Sequence, residues 1–158
     1  MKAVSVTTIK KELQDKTDSE LIALVLRLSK FKKENKELLT YLLFESHDED
    51  AYIQLVKAHI SQAFSEINTT SYFYIKKSVR KILRLIKKYA RYSLKKETEI
   101  ELLLHFCSCL MKLKPSIKNN TTLTNIYNSQ ITRIKKIAGN LHADLQHDYN
   151  LALNELIG

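Results

Sequence analysis

The sequence predicts an all-α fold, a single domain over residues 1–158 built from six or seven antiparallel helices. These form a bundle or a short layered, solenoid-like array of helical hairpins. Three observations predict it. Apolar residues recur at helical spacing along almost the whole chain, and no segment alternates at period two. Gly occurs twice and Pro once, where average usage would give about 11 and about 8 in this length. Gly-rich phosphate loops, tight glycine hairpins and Pro-rich linkers are therefore excluded. Finally, the apolar runs are separated only by short polar junctions, which force successive helices to run antiparallel. A chain of 158 residues hides roughly 68–70% of its unfolded surface, so it needs no metal or disulfide to fold.

A short first helix is expected over residues 8–14. Thr17-Asp18-Ser19-Glu20 is a capping box, in which the Thr17 hydroxyl takes the Glu20 amide and the Glu20 side chain reaches back. It opens a helix carrying Leu21, Leu24, Val25, Leu28 and Phe31. Residues 32–36 form a charged junction before Leu38, Leu39, Leu42 and Leu43. Ser46-His47-Asp48-Glu49-Asp50 reads as a loop and first turn, with acids where the helix dipole favours them. The next helix carries Tyr52, Ile53, Val56, Ile60, Ala63, Phe64 and Ile67. Asn68-Thr69-Thr70-Ser71 ends it and caps a long helix reaching about Leu94. A sixth helix, over about 97–113, stops before Pro115.

Asn119-Asn120-Thr121-Thr122 caps the last segment. Its apolar residues Leu123, Ile126, Tyr127, Ile134, Ile137, Leu141, Leu145, Ala152 and Leu156 fall within roughly 100° on a helical wheel. The stripe keeps phase through Gly139, which favours one long helix over two. One interior Gly costs only ~1 kcal/mol relative to Ala.

No run of ~18 apolar residues is present, so no membrane-spanning helix is expected. The opening Met1-Lys2-Ala3-Val4-Ser5-Val6-Thr7 lacks the apolar core of a secretory signal. A cytoplasmic location follows as the expectation, and it leaves the acceptor triplets at Asn68 and Asn120 idle. Cys107 and Cys109 sit two apart in a helical run and point roughly 200° away from each other, so they cannot bridge. Buried, reduced thiols fit the same compartment.

The net charge of +9 has one source. Residues 1–66 and 97–158 are close to neutral. Residues 67–96 hold ten bases and no acid: Lys76, Lys77, Arg80, Lys81, Arg84, Lys87, Lys88, Arg91, Lys95 and Lys96. At 100° per residue all but Lys96 project within an arc of roughly 140°, opposite an aliphatic stripe of Ile75, Val79, Ile82, Leu83, Ile86, Tyr89 and Ala90. Such a ridge suits phosphates, whose condensed counterions it would release. Tyr74 and Tyr92 at its margin are placed to stack on unpaired bases. An anionic lipid or an acidic protein groove is a second class of partner. A solvated face with long Lys stems covering apolar surface is the plain reading. Like charges at i,i+4, such as Lys77–Lys81, Arg80–Arg84, Arg84–Lys88 and Arg91–Lys95, each cost about 0.2–0.5 kcal/mol. That tension favours a partner, or acids from a neighbouring helix such as Glu97, Glu99 and Glu101.

Catalytic and metal signals are weak. His142 and His147 lie roughly 140° apart on a helix. Asp144-x-x-His147 has the spacing of a di-iron carboxylate–histidine pair but lacks the second pair that such a centre needs. Glu101 and His105 share a face and more naturally hydrogen-bond than ligate. His47-Asp48-Glu49-Asp50 lacks the Gly and spaced oxygens of a calcium loop, and His59 reads as a part-buried helix residue. Tyr72-Phe73-Tyr74 reads as core and interface filler. No Walker, Gly-x-Ser-x-Gly or His-Glu-x-x-His motif occurs. No cofactor is expected, and nothing argues for an enzyme.

Three stretches, Ser19-Glu20-Leu21-Ile22-Ala23-Leu24-Val25-Leu26-Arg27-Leu28, Thr98-Glu-Ile-Glu-Leu-Leu-Leu-His-Phe-Cys-Ser-Cys-Leu110 and Ile126-Tyr127-Asn128-Ser129, give the chain a resemblance. It resembles an uncharacterised family of small all-helical bacterial proteins, a domain of unknown function. The resemblance implies a helical fold and a bacterial cytoplasm, and no activity. The expected function is a non-enzymatic binding or scaffold module whose ridge over 76–96 contacts an acidic partner, nucleic acid or protein. Its alternative is a protein–protein adaptor or homo-oligomer in which the ridge is only a solvated face.

Overall fold

A computed structural model describes residues 1–158. It has no strand. Eight α-helices follow one another: α1 Val6–Gln14, α2 Asp18–Phe31, α3 Lys33–Thr40, α4 Glu49–Ser65, α5 Tyr72–Ser93, α6 Lys96–Met111, α7 Thr121–Ala138 and α8 Ala143–Ile157. A π turn at Tyr41–Glu45 and a 3-10 turn at Ile117–Asn119 complete the set. No helix is long and apolar enough to cross a membrane. The chain groups into two compact units, Met1–Phe44 and Glu45–Gly158.

In the first unit, α1 starts on Ser5, whose hydroxyl takes the Thr8 amide at 3.2 Å. The expected capping box opens α2. Glu20 N–H donates to Thr17 Oγ1 at 3.3 Å, and Thr17 N–H donates to Glu20 Oε2 at 2.8 Å. The Thr17 backbone N–H and, second, the Thr17 hydroxyl at 3.2 Å both donate to Glu20 Oε2 and hold the Glu20 carboxyl below the usual range. The charged junction is a single extended residue, Lys32, after which α3 begins at once. Asn35 Nδ2 covers the open Leu28 carbonyl at 2.8 Å. Of the apolar residues that α2 carries, Leu24, Val25, Leu28 and Phe31 are exposed and Leu21 is half-buried. Only Ser29 and Tyr41 are buried before residue 45.

The second unit is a bundle around α6, which packs against α4, α5, α7 and α8. Its buried residues Thr98, Ile100, Leu102, Leu103, Phe106, Cys107 and Leu110 spread over an arc of roughly 200°, wider than the stripe of a surface helix. The Phe106 ring packs 5.6 Å from that of Phe64. Burial pushes the Cys107 thiol up to about 12, and both cysteines stay unbridged. The α5–α6 connection is only Leu94 and Lys95, so the two helices form an antiparallel hairpin. Tyr72 O–H accordingly reaches from the start of α5 to the Ser116 carbonyl past the end of α6, at 2.8 Å.

The last segment corrects the single-helix expectation. After Ala138 the chain turns through Gly139-Asn140-Leu141-His142, with Asn140 N–H on the Ile137 carbonyl at 3.1 Å and Leu141 N–H on Ala138 at 3.0 Å. Gln146 Nε2 closes the turn on the Leu141 carbonyl at 2.6 Å. The wheel stayed in phase only because it counts residues through the turn as if they were helical. Once α8 folds back, Tyr149 and Leu153 are buried, while Leu145, Ala152 and Leu156 are only half-buried.

Candidate functional site

The cationic residues lie on α5 because its apolar stripe leaves them no other side. Ile75, Val79, Ile82, Ile86 and Ala90 are buried at successive three- and four-residue steps, so everything opposite faces water. Asn68 sets up the entry to the helix, its side-chain oxygen accepting from Thr70 N–H at 3.0 Å. Tyr52 O–H fixes the other end by donating to the Tyr89 carbonyl at 3.0 Å.

Lys77, Arg80, Lys81, Arg84, Lys87 and Arg91 are exposed and Lys76 is half-buried. Among the described residues, no ion pair or side-chain hydrogen bond joins these seven to any acid. Two of the three acids expected to neutralise them, Glu99 and Glu101, are engaged elsewhere. Glu101 takes Lys57 Nζ at 2.6 Å, and Glu99 takes Arg133 in a two-point grip at 2.8 and 3.2 Å. Lys88 is half-buried, its ammonium 5.1 Å from the Tyr89 ring centroid. Lys95 Nζ lies 3.3 Å from Glu49 Oε2, so the ridge proper ends at Arg91. From Lys77 to Arg91 it spans about 21 Å at 1.5 Å per residue.

The two tyrosines separate. Tyr74 is exposed, with the Phe73 ring edge-on at 5.3 Å. Tyr92 is 8% exposed and packs edge-on against Tyr89, which withdraws it from any stacking role. A tertiary neighbour decides this, not the wheel position that the two tyrosines share.

Three adjoining depressions follow the ridge. One of about 310 Å³ is floored by Phe73 and rimmed by Lys76, Lys77, Arg80 and Arg84. A second, of about 400 Å³, lies between α4 and α5, with Lys81, Arg84 and Lys88 over Ala63 and Ile67. The largest, about 780 Å³, is a cleft between α5, α6 and α7. Arg84, Lys87, Arg91, Lys95, Lys96 and Arg133 line it, Ile86, Ala90 and Leu103 form its apolar floor, and Glu99 is its one acid. Arg84 borders all three.

Sequence reasoning missed the α7 wall of this cleft, Ser129, Gln130 and Arg133, because no pattern in the sequence says which face of α7 meets α5. It also missed Leu94, a left-handed residue (φ 61°) that is 81% exposed at the cleft mouth. Leucine carries no signal for that conformation. Glu49 braces the turn from below, accepting from Ser93 and Thr98 hydroxyls while pairing with Lys95. It sits at the helix start that its sequence context predicted, with this second task added.

The other residues weighed from sequence do not converge. Ser61 Oγ and His105 Nε2 are 2.7 Å apart, an α4–α6 link, and Glu101 is turned to Lys57. Burial, with the Lys57 charge second, lowers the His105 pKa. His142 Nδ1 is 3.7 Å from Asp144, both widely exposed. No family model, curated protein or solved structure matches the chain.

Proposed function

We propose that the chain is a helical nucleic-acid-binding module that holds phosphates along the exposed face of α5. One observation carries the reading: seven cations, Lys76 to Arg91, share one face of one helix with no acid paired to them. Left alone, such a row repels itself, and phosphates spaced along a strand relieve the repulsion while releasing condensed counterions. The basic cleft extends the row onto α7, so the backbone has a groove to follow. Tyr74 offers a ring face for an unpaired base at the opposite end. Contacts of this kind position a strand without reading its sequence.

The test is an electrophoretic shift at low salt with two charge-matched variants. Arg80→Glu/Arg84→Glu/Lys87→Glu/Arg91→Glu removes four ridge cations. Lys2→Glu/Lys10→Glu/Lys16→Glu/Lys118→Glu changes net charge equally, at exposed sites off the ridge. The first should lose at least about 100-fold in affinity and the second less than about 10-fold. Arg84→Ala should be the most damaging single truncation, and Tyr74→Ala should weaken single strands but not duplexes. Equal losses from the two quadruple variants would reduce the effect to net charge and sink the proposal.

A further inference from the structure

We infer that the chain self-associates through α2, two copies packing their α2 helices antiparallel along the seam of Leu21, Leu24, Leu28 and Phe31. The inference rests on residues 1–44 and stands whether or not α5 binds nucleic acid. Leu28 is 60% and Phe31 76% exposed, with Leu24 and Val25 exposed beside them. Spacing of three, four and three residues is that of a helix-pairing seam, where each side chain enters a hole on the facing helix. Soluble chains scatter exposed apolar side chains singly, whereas α2 exposes six, of which Leu24, Val25, Leu28 and Phe31 share the side of the seam and Ile22 and Leu26 lie beyond it. A helix of 14 residues is also marginal in water until its apolar face is covered.

Charge identifies the occupant as a second copy. Asp18 and Glu20 sit in the first turn of α2, while Arg27 and Lys30 occupy its second half and Lys32 and Lys33 follow. Antiparallel pairing sets Leu21 against Phe31 and Leu24 against Leu28. It lays each acidic end beside the other copy's basic end, and it opposes the two helix dipoles. Parallel pairing would set acid on acid and base on base. The arrangement is two-fold, so each copy covers the same face of the other and assembly closes at two.

The experiment is sedimentation of the full chain from about 1 to 100 µM. A mass approaching twice the 18.4 kDa of one chain is expected at the upper end. Leu24→Glu/Leu28→Glu should raise the dissociation constant more than about 100-fold, with the helical circular dichroism and the unfolding midpoint of the dilute chain unchanged. Asp18→Lys/Glu20→Gln alone and Arg27→Glu/Lys30→Glu alone should each weaken pairing. The combined variant, which exchanges the two ends, should restore it. Glu20→Gln keeps an acceptor for the capping box, so helix loss is not the cause.

A single-chain mass at every concentration overturns the inference, as does a dimer indifferent to Leu24→Glu/Leu28→Glu. A dimer that all three charge variants leave equally strong overturns the antiparallel arrangement. A monomer whose midpoint falls in Leu24→Glu/Leu28→Glu shows that the chain itself covers this stripe, and overturns it too.

Discussion

Residues 1–44 and 45–158 are both helical and both rich in leucine, yet they treat apolar surface in opposite ways. In the second unit α6 is enclosed by four helices, and Phe106, Ile100, Leu102 and Leu110 are fully buried. In the first, α1, α2 and α3 enclose no central element. Of the twenty-one large apolar side chains left exposed, fifteen fall in the first 44 residues. The difference lies in number and arrangement, not in amphipathicity. A helix stripe is covered only when enough other helices surround it, and three short ones are too few. The two proposals divide along the same line: phosphate binding is proposed for the outward cations of α5, and association for the exposed stripe of α2.

The largest effect that separates the two regions is in the core. Phe106→Ala should destabilise by about 3–5 kcal/mol in urea unfolding. Phe31→Ala, at concentrations where the chain is single, should change it by less than about 0.5 kcal/mol. Similar losses at the two sites would dissolve the contrast.

A smaller effect has the opposite sign. Leu94 holds a left-handed backbone that costs a non-glycine residue roughly 1–2 kcal/mol, part of which glycine gives back as unfolded-state freedom. Leu94→Gly should therefore raise stability by about 0.5–1 kcal/mol in the same assay. If affinity for nucleic acid falls as stability rises, the exposed leucine serves the cleft.

The smallest effect is the pH dependence of the α4–α6 link. Burial and the Lys57 charge hold His105 below its ordinary value of 6.5, so the unfolded chain takes up the proton first. The stability contributed by neutral His105 is complete above pH 6.5 and is lost as pH falls through the lower folded value. His105→Gln should flatten the unfolding midpoint against pH below 6.5. A profile unchanged by the substitution would mean that the imidazole is not held neutral there.

Much of α5 was legible in the sequence. Its polar entry at Asn68–Ser71, its end near Leu94 and the opposition of cationic and aliphatic faces all follow from 3.6-residue periodicity. The Thr17–Glu20 capping box was equally readable, because a cap is local. What periodicity cannot give is the identity of the neighbour. It put Leu24 and Leu28 on one helix without saying that their unit leaves them uncovered, and put Tyr92 at the margin of the ridge when it packs under Tyr89. It carried one helix through Gly139, where two backbone hydrogen bonds turn the chain. Arg133 entered the cleft through its grip on Glu99, a contact between residues 34 apart that no spacing encodes.

The central claim is that phosphates meet the unpaired face of α5, and salt tests it most directly. The measurement is the binding constant of the full chain for a 20-nucleotide RNA and a 20-base-pair DNA between 50 and 200 mM salt. With seven ridge cations engaged, the logarithmic slope should lie near −5 for the single strand and −6 for the duplex, an affinity loss of roughly 10³-fold or more across that range. Arg80→Glu/Arg84→Glu/Lys87→Glu/Arg91→Glu should flatten the slope by about four contacts. Binding that ignores salt, or a slope that this variant leaves unchanged, would contradict the account.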